Sequence, residues 1–352
     1  MFKNIKLLYI ISLLKSIGTK NFEGLGRTTG CTGKTIMRSL PTEEAAMPLL
    51  QKIGHYVFRK KRTLYLAIDD TLIKKIYAQA MAGAGLMFST KDGRCLNAFR
   101  IQVAALTDGK CIIPIDFSYI LSKEILDSLN PEDLTKISHL SKVQLFQNMV
   151  NGVKKQYPLH EIIVVADGLF CTTEILKWCK ESKTNTVMRM HSNRTVEFNN
   201  QKIAVNKIEM ILPKGRQKAR SVPVLWYDMD LFLTAEKRLD KHGKISIVYL
   251  ISTFKAKPIK YVKIYKKRWG IEKMFRTIKQ HLGLNDCFST NFDKQKNHLA
   301  AVLLTFALMQ IARKQSRFEN IETAIRSFKS LSFEEIESWI LRLDQNFKAC
   351  AL

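Results

Sequence analysis

The sequence predicts a mixed α/β fold, in which a central sheet is flanked by helical segments at both ends of the chain. Short apolar runs bounded by turn residues recur between residues 63 and 250 and are typical of strands. Residues 1–62 and 291–352 carry no strand pattern and are expected to be helical. With 352 residues, the chain is long enough for two or three domains with a sizeable core.

The N-terminal segment, residues 1–62, contains a pattern that matches a helix-turn-helix. Leu25 would lie in a first helix, Gly30 in the turn and Ile36 in a second helix. Glycine suits the turn because it tolerates a positive φ. The candidate DNA-recognition residues on the second helix are Lys34, Thr35 and Arg38. A small helical hairpin without DNA contact is the alternative, because short matches of this kind arise by chance.

The sheet is predicted within residues 63–290. Leu64–Asp69 is a short apolar run that ends in carboxylates. Phe99–Leu106 and Cys111–Tyr119 are expected to form an antiparallel hairpin around a Thr-Asp-Gly-Lys turn. Glu161–Ala166 is a continuous apolar run, which indicates a central strand buried on both faces.

With the remaining elements, the chain runs strand, hairpin, helix, strand, helix, which is the order of elements in a ribonuclease-H-like α/β sheet. The sequence permits this fold but does not require it. Helices are expected near residues 141–156 and 172–181. A β-rich insertion is expected at about 193–250, before a long helix at about 258–281.

The charge balance points to nucleic acid as a partner. Lys and Arg number 57 against 31 Asp and Glu, which leaves a net charge of +26. Such an excess concentrates polyanions near the protein and speeds their capture. Selection for solubility, or an anionic membrane surface, is the alternative explanation of the same charge.

Cysteine usage and hydropathy bear on the compartment. The seven cysteines form no C-x-x-C pair, which argues against a disulfide framework or a zinc site and favours reduced thiols in a cytoplasm. The apolar run Leu7–Leu14 faintly resembles a signal peptide, but Lys15 interrupts it and no cleavage site follows, so an amphipathic helix is expected. Leu299–Ala312 is too short to span a bilayer and suits a buried core helix. No membrane partner is therefore expected.

Carboxylates follow two of the predicted strands. Asp69 and Asp70 precede Thr71 at the end of the first strand, and Asp167 follows the later strand. Neighbouring strands bring their carboxyl ends together, where α/β folds place ligands. Two carboxylates there repel each other, and a divalent cation relieves that repulsion. Helix caps or turn residues are the alternative reading of isolated strand-end aspartates.

A polar stripe runs along the predicted helix at 258–281. At 100° per residue, its four members fall within an arc of about 60°, one above another. They are Tyr265, Arg268, Glu272 and Lys279. Arginine binds two phosphate oxygens at once, lysine neutralises one, and tyrosine donates a hydrogen bond. A solvated basic helix with an ordinary i,i+4 pair between Arg268 and Glu272 is the alternative.

The spacing Y-x2-R-x3-E-x6-K resembles the signature of bacterial insertion-sequence transposases of the IS-four type, and all four positions match. The order of parts is also similar, from an Asp-Thr after the first strand through an Asp-Gly-x-Phe to the signature helix. The resemblance extends from about Phe22 to about His298. One departure is Gly168, because family members often carry arginine directly after the second aspartate.

The resemblance implies a metal-binding triad of Asp70, Asp167 and Glu272. Asp70 is preferred to Asp69 because the family's aspartate directly precedes threonine, and the choice between these neighbours stays open. The phosphates of the element end would be held by Tyr265, Arg268 and Lys279. Trp226 matches poorly the tryptophan with which some relatives trap a flipped base, and is expected in the core.

The implied activity is cut-and-paste transposition. Two Mg²⁺ ions, for which Mn²⁺ substitutes, would activate water to free a 3′-hydroxyl, which then attacks a second phosphodiester. The expected partners are the terminal inverted repeats, target DNA and a second copy of the chain in a synaptic dimer. Two other functions stay open: a decayed or domesticated transposase that binds DNA without catalysis, and a ribonuclease-H-fold DNA nuclease.

Overall fold

The computed structural model describes residues 7–76, 78, 81, 83–121, 123–127, 140–239 and 242–349. Residues 1–6, which open the expected N-terminal helical segment, lie outside these ranges. A central mixed sheet with helices around it confirms the expected α/β class.

The helices lie at both ends of the chain and between the strands. Their bounds are α1 Leu7–Lys15, α2 Phe22–Thr29, α3 Gly33–Arg38, α4 Glu43–Phe58, α5 Lys123–Asp127, α6 Lys142–Gln156, α7 Thr173–Glu181, α8 Pro258–Tyr265, α9 Trp269–His281, α10 Phe292–Gln315, α11 Ile321–Ser330 and α12 Phe333–Ala349. The helix expected near 141–156 is confirmed, and a capping box fixes its start, with Ser141 and Gln144 each accepting the other's backbone N–H.

The strands form one mixed sheet. Their bounds are β1 Thr63–Lys74, β2 Gly85–Ser89, β3 Arg94–Thr107, β4 Ile112–Ile120, β5 Glu161–Ala166, β6 Asn185–Met190, β7 Thr195–Phe198, β8 Gln201–Ala204, β9 Ala219–Trp226, β10 Met229–Leu239 and β11 Ile245–Ser252. The hairpin predicted around the Thr-Asp-Gly-Lys turn is confirmed as β3 and β4, which pair antiparallel.

Within the described ranges, the sheet order explains which strands are buried. β1 lies between β3 and β5, pairing antiparallel with β3 and parallel with β5, and β5 pairs parallel with β6. β2 and β4 both pair with the far side of β3. β5 has neighbours on both sides and Ile162–Ala166 are all buried, which confirms the prediction from its continuous apolar run.

Residues 195–252 extend the same sheet beyond β6. β11 pairs antiparallel with β6, and β10, β9, β7 and β8 follow outward. The expectation of a core position for Trp226 is confirmed, since only 3% of it is exposed.

The first strand is longer than predicted, which corrects one expectation. The run Leu64–Asp69 was expected to end at its carboxylates, whereas β1 continues to Lys74 because the long strand β3 pairs with it as far as Lys74. The parallel pairing with β5 stops earlier, at Ile68 opposite Ala166. Asp69 and Asp70 therefore lie inside a strand, just beyond the end of its parallel half.

The helix expected at 258–281 is divided. A single 3₁₀ turn, Lys266–Arg268, separates α8 from α9, and the backbone stays right-handed through Arg268 and Trp269. We call this continuous unit, residues 258–281, the helical rod. It lies across one face of β1.

The terminal helices share one hydrophobic core with the sheet. The core cluster extends from Leu7 to Phe347, and α4 packs on α10. The prediction of a buried helix at Leu299–Ala312 is confirmed, because every residue of that run is buried. Within the described residues, no helix is both long and apolar enough to cross a membrane.

The helix-turn-helix pattern corresponds to α2 and α3. Gly30 has φ 68°, the left-handed conformation that the sequence predicts for the turn. Leu25 and Ile36 are buried, whereas the candidate recognition residues Lys34, Thr35 and Arg38 are exposed. The second helix is six residues long, less than two turns.

Candidate active site

The parallel pairing of β1 with β5 places Asp69 and Asp167 at the same height along the two strands. Ile68 of β1 lies opposite Ala166 of β5 in the parallel register. Asp69 and Asp167 each follow one residue later, at the same edge of this strand pair. Asp167 lies in the turn after β5, where its Oδ1 accepts the backbone N–H of Leu169 at 2.8 Å.

The two neighbouring aspartates of β1 point to opposite faces of the sheet. Asp69 faces the helical rod, and its Oδ2 accepts a hydrogen bond from Arg268 Nη1 at 2.9 Å. Asp70 faces α6, where its Oδ2 lies 3.1 Å from Lys142 Nζ. Successive side chains of a strand point to opposite faces of the sheet, so only one of the two neighbouring aspartates can reach the helical rod.

Further contacts of β1 with the rod follow the same alternation. Thr71 accepts a hydrogen bond from Lys279 Nζ at 2.6 Å, and Lys267 Nζ lies 5.8 Å from the centre of the Tyr65 ring. Tyr65, Asp69 and Thr71 are separated by even numbers of residues and therefore share one face.

Arg268 connects two of the acidic side chains. One terminal nitrogen bonds Asp69 and the other bonds Glu272, and the Tyr265 ring lies 5.5 Å from the guanidinium carbon. Only 12% of the Arg268 side chain is exposed. The structure thus brings Tyr265, Arg268 and Glu272 together with Asp69, whereas Asp70 forms its ion pair with Lys142 on the other face of the sheet.

Burial sets the electrostatics of this cluster. It raises the pKa of Asp69 to about 7, with Asp167 and Asp70 adding to the rise and Arg268 opposing it. Burial, followed by the positive charges of Lys74 and Lys91, lowers the pKa of Lys279 to about 8. The positive charge of Arg268 alone therefore does not offset the effect of burial, and a further cation beside Asp69 would stabilise its ionised form.

The donor set suits a hard divalent cation. Carboxylate oxygens are the protein ligands that Mg²⁺ prefers. Within the described ranges, however, no three His, Cys, Asp or Glu side chains are spaced to hold a metal ion. The carboxylates of Asp69 and Glu272 suit a divalent cation by their chemistry. In this structure the Arg268 guanidinium lies between them and binds both.

A basic cleft opens beside Glu272. It has a volume of about 860 Å³ and lies between the rod and the outer strands. The cations that line it are Arg189, Arg216, Lys218, Lys237, Arg238, Lys266 and Arg268. Glu272 and Glu236 are its acidic residues, so the cleft is suited to a polyanion.

Space at Gly168 is taken by a neighbouring side chain. A Cβ at position 168 would lie 2.7 Å from His191 Nε2. The exposed imidazole of His191 thus lies against the turn where the resemblance leads one to expect arginine. Sequence reasoning missed His191 beside Gly168, Lys142 beside Asp70 and Arg189 in the basic cleft, because no spacing in the chain relates them to these neighbours.

Two comparisons with known proteins bear on the family. Residues 138–308, just under half of the chain, match the model of a family described as "Transposase DDE domain". This range includes Asp167 and the whole stripe from Tyr265 to Lys279, and excludes β1. The chain is also 33% identical over 72 residues to "Putative transposase y4zB" of Sinorhizobium fredii (strain NBRC 101917 / NGR234). That match covers 20% of this chain and 20% of the relative.

Proposed function

We propose that the chain is a DNA transposase of the insertion-sequence type with the Y-R-E-K signature. It would cut the phosphodiester bonds at transposon ends and join the freed 3′-hydroxyls to target DNA. The observation that carries this proposal is the bridge from Asp69 through Arg268 to Glu272, beside Asp167 and a basic cleft. The similarity of residues 138–308 to a transposase DDE domain supports it.

A ribonuclease-H-like core is part of this proposal. Five adjacent strands, in the order β4-β3-β1-β5-β6, support it, with β3 alone running opposite to the others. The proposed acidic ligands lie at the end of the β1–β5 parallel pair and on the rod that crosses β1. This is where α/β sheets gather catalytic groups.

We assign the metal ligands to Asp167, Glu272 and one aspartate of β1. The motif favours Asp70, and the contacts of the folded chain favour Asp69, because Asp69 shares a cation with Glu272 and Asp70 pairs with Lys142. Bound Mg²⁺ or Mn²⁺ would activate the attacking water or hydroxyl and stabilise the leaving oxygen.

The chain's own cations would position the DNA. Lys279 lies about two helical turns after Glu272 on the same stripe, and a bound phosphate would keep Lys279 protonated, since anions raise a lysine pKa. Arg268 hydrogen-bonds both Asp69 and Glu272 in the DNA-free chain and can bind phosphate oxygens in their place. Tyr265 packs against this guanidinium and orients it. Joining two element ends requires a second copy, so we propose that a dimer forms on DNA.

A DNA-binding protein without catalysis is the second candidate. It is favoured by one observation: Arg268 already occupies the place between two of the proposed ligands. Cleavage distinguishes the two candidates, since both bind DNA.

The test uses duplex DNA that carries the sequence flanking the reading frame of this chain. We expect metal-dependent cuts that leave 3′-hydroxyls at a fixed position, at the boundary of short inverted repeats. The reaction should stop in EDTA. Binding without cuts in Mg²⁺ and in Mn²⁺ would select the non-catalytic candidate, and cuts without any relation to inverted repeats would select a nuclease.

A further inference from the structure

A second basic groove lies on the other side of the helical rod from Glu272. It has a volume of about 960 Å³. Its floor includes Tyr65 and Gly109, and its far wall comes from the C-terminal helices at Gln310 and Arg313. Lys263 on its near wall and Glu272 are nine residues apart, so on a helix of 3.6 residues per turn they lie on roughly opposite sides. The groove is therefore separate from the cleft of the candidate active site.

Positive charge dominates the lining of this groove. Six lysines and two arginines face it, against Glu319 and Glu322. In the part of the chain that the structure describes, no acidic side chain forms an ion pair with Lys263, Lys267 or Lys273. Like charges gathered in one concavity repel each other, and an elongated polyanion relieves that repulsion.

Lys267 is held in place at the floor of the groove. Its side chain crosses directly over Gly109, where a Cβ would lie 2.0 Å from Lys267 Nζ. Gly109 has φ +91°, so both its conformation and its contact favour glycine. The Tyr65 ring supports the ammonium from below at 5.8 Å. The partly exposed Lys267 ammonium is thus positioned between Gly109 and the Tyr65 ring.

The far wall offers polar atoms that lack partners. Among the described residues, the buried atoms Arg313 Nε and Gln310 Oε1 have no hydrogen-bond partner. Gln310 as a whole is 5% exposed. Arg313 is fixed by its Nη2, which donates to the Lys110 carbonyl at 2.5 Å. These two buried atoms do not reach the groove themselves, but the partly exposed guanidinium that Lys110 fixes on the groove wall is a cation suited to a phosphate oxygen.

The groove and the active-site cleft meet at one ridge. Lys266 and Trp269 line both, and half of the Trp269 surface is exposed. Tyr65 and Asp69 are four residues apart on the same strand, which is about 13 Å at 3.3 Å per residue. A DNA backbone can therefore pass from the cleft over this ridge into the groove.

We propose that the groove binds the phosphodiester backbone of DNA on the other side of the helical rod from the reacting bond, with the groove floor at Tyr65 about 13 Å along β1 from Asp69. This site rests on the proposed function and adds a second DNA contact to it. Two sources supply the same chemistry: the flank of the element end that is being cut, or the target duplex to which it is joined.

The first test measures duplex binding against salt concentration. The groove variant is Lys263→Gln with Lys273→Gln, two exposed positions, and the matched control is Lys155→Gln with Lys177→Gln, two exposed lysines on α6 and α7. The probe is a fluorescent duplex of scrambled sequence. We expect the groove variant to lose about two units of salt slope, one per phosphate contact, and the control to lose none. Restoring both charges as arginine should restore the slope.

The second test separates the two sources of DNA. In one arm, the groove variant cuts duplexes that carry the flanking repeats; in the other, it joins a pre-cut end to a plasmid. Loss of cutting assigns the groove to the element flank, and loss of joining alone assigns it to the target. A salt slope equal to that of the control variant would overturn the proposal. Because the binding test needs no catalysis, it decides about the groove even if the wild-type chain cuts nothing.

Discussion

Arg268 donates a hydrogen bond to Asp69 across 2.9 Å, although 199 residues separate the two along the chain. The same guanidinium bonds Glu272 one turn later on its own rod. This bridge brings the β1 strand and the signature stripe into one cluster. It also identifies the carboxylate of β1 that shares a cation with Glu272, which the motif alone left open.

Asparagine substitutions at the two aspartates should separate their roles. We expect Asp69→Asn to lower DNA cleavage by several orders of magnitude, because it removes the carboxylate that faces Glu272. Asp70→Asn should retain most activity, because Asp70 pairs with Lys142 on the other face. Lys142→Gln is the matched control for loss of that ion pair. Cleavage rates in Mg²⁺ measure both, and an active Asp69→Asn with an inactive Asp70→Asn would return the assignment to the motif's choice.

Arg268 and Lys279 should contribute to DNA binding by charge. We expect Arg268→Gln and Lys279→Gln each to reduce the salt slope of binding by about one unit, since each loses one phosphate contact. Lys180→Gln, on the exposed surface of α7, is a control that should leave the slope unchanged. Fluorescence anisotropy over a salt series gives the slopes. Unchanged slopes for both stripe variants would remove these residues from the phosphate-binding set.

The short helix α3 should supply discrimination between element ends and random DNA. Deleting residues 1–62 is a poor test because Leu7–Leu14 and α4 belong to the common core. The double variant Lys34→Ala and Arg38→Ala changes only exposed side chains. We expect its specificity ratio to fall towards one while salt-sensitive binding to scrambled duplex persists. A ratio equal to that of the wild type, in competition assays, would leave α2–α3 a helical hairpin.

Stability should fall in mild acid because of His298. Burial lowers the pKa of this imidazole to about 3, and Lys75 adds to the effect, while Tyr9 Oη lies 2.7 Å from Nδ1. As pH falls below the unfolded value near 6.5, only the unfolded chain takes up the proton. The resulting loss is about 1.4 kcal/mol per pH unit, from roughly pH 6 down towards the folded pKa.

Urea unfolding of wild-type chain and His298→Gln at several pH values measures this loss. Carboxylates titrate in both proteins. The difference between the two slopes of unfolding free energy against pH therefore reports the one proton that His298 takes up on unfolding. His191→Gln, at an exposed histidine, is the control. Equal slopes for wild type and His298→Gln would show that His298 binds its proton in the folded chain.

Local sequence patterns were enough to predict most helices and strands. Which side chains meet at the candidate active site depends on packing between segments that are remote in the sequence. The apolar run Glu161–Ala166 and the buried run Leu299–Ala312 were predictable because burial on all sides leaves a continuous apolar sequence. The 3.6-residue period placed Arg268 and Glu272 on one stripe. The extension of β1 beyond Asp70 was not predictable, because it depends on pairing with β3.

The second groove is the clearest limit of sequence reasoning. Lys267, Gly109 and Arg313 come from the rod, a β-turn and a C-terminal helix, and their sequence separations carry no signal. A turn glycine at 109 was expected for the hairpin, but its contact with Lys267 follows only from the folded chain. Charge counting indicated a polyanion partner without indicating where it binds.

The substitution Glu272→Gln decides whether this chain cuts DNA with carboxylates. The substitution keeps the shape of the side chain and removes one proposed metal ligand without removing a cation from the cleft. We predict that binding to the flanking-repeat duplex stays within about threefold of wild type, a change of less than 1 kcal/mol, while cleavage in Mg²⁺ is abolished. Cleavage by Glu272→Gln at the wild-type rate would show that Glu272 is not a metal ligand of the cutting reaction.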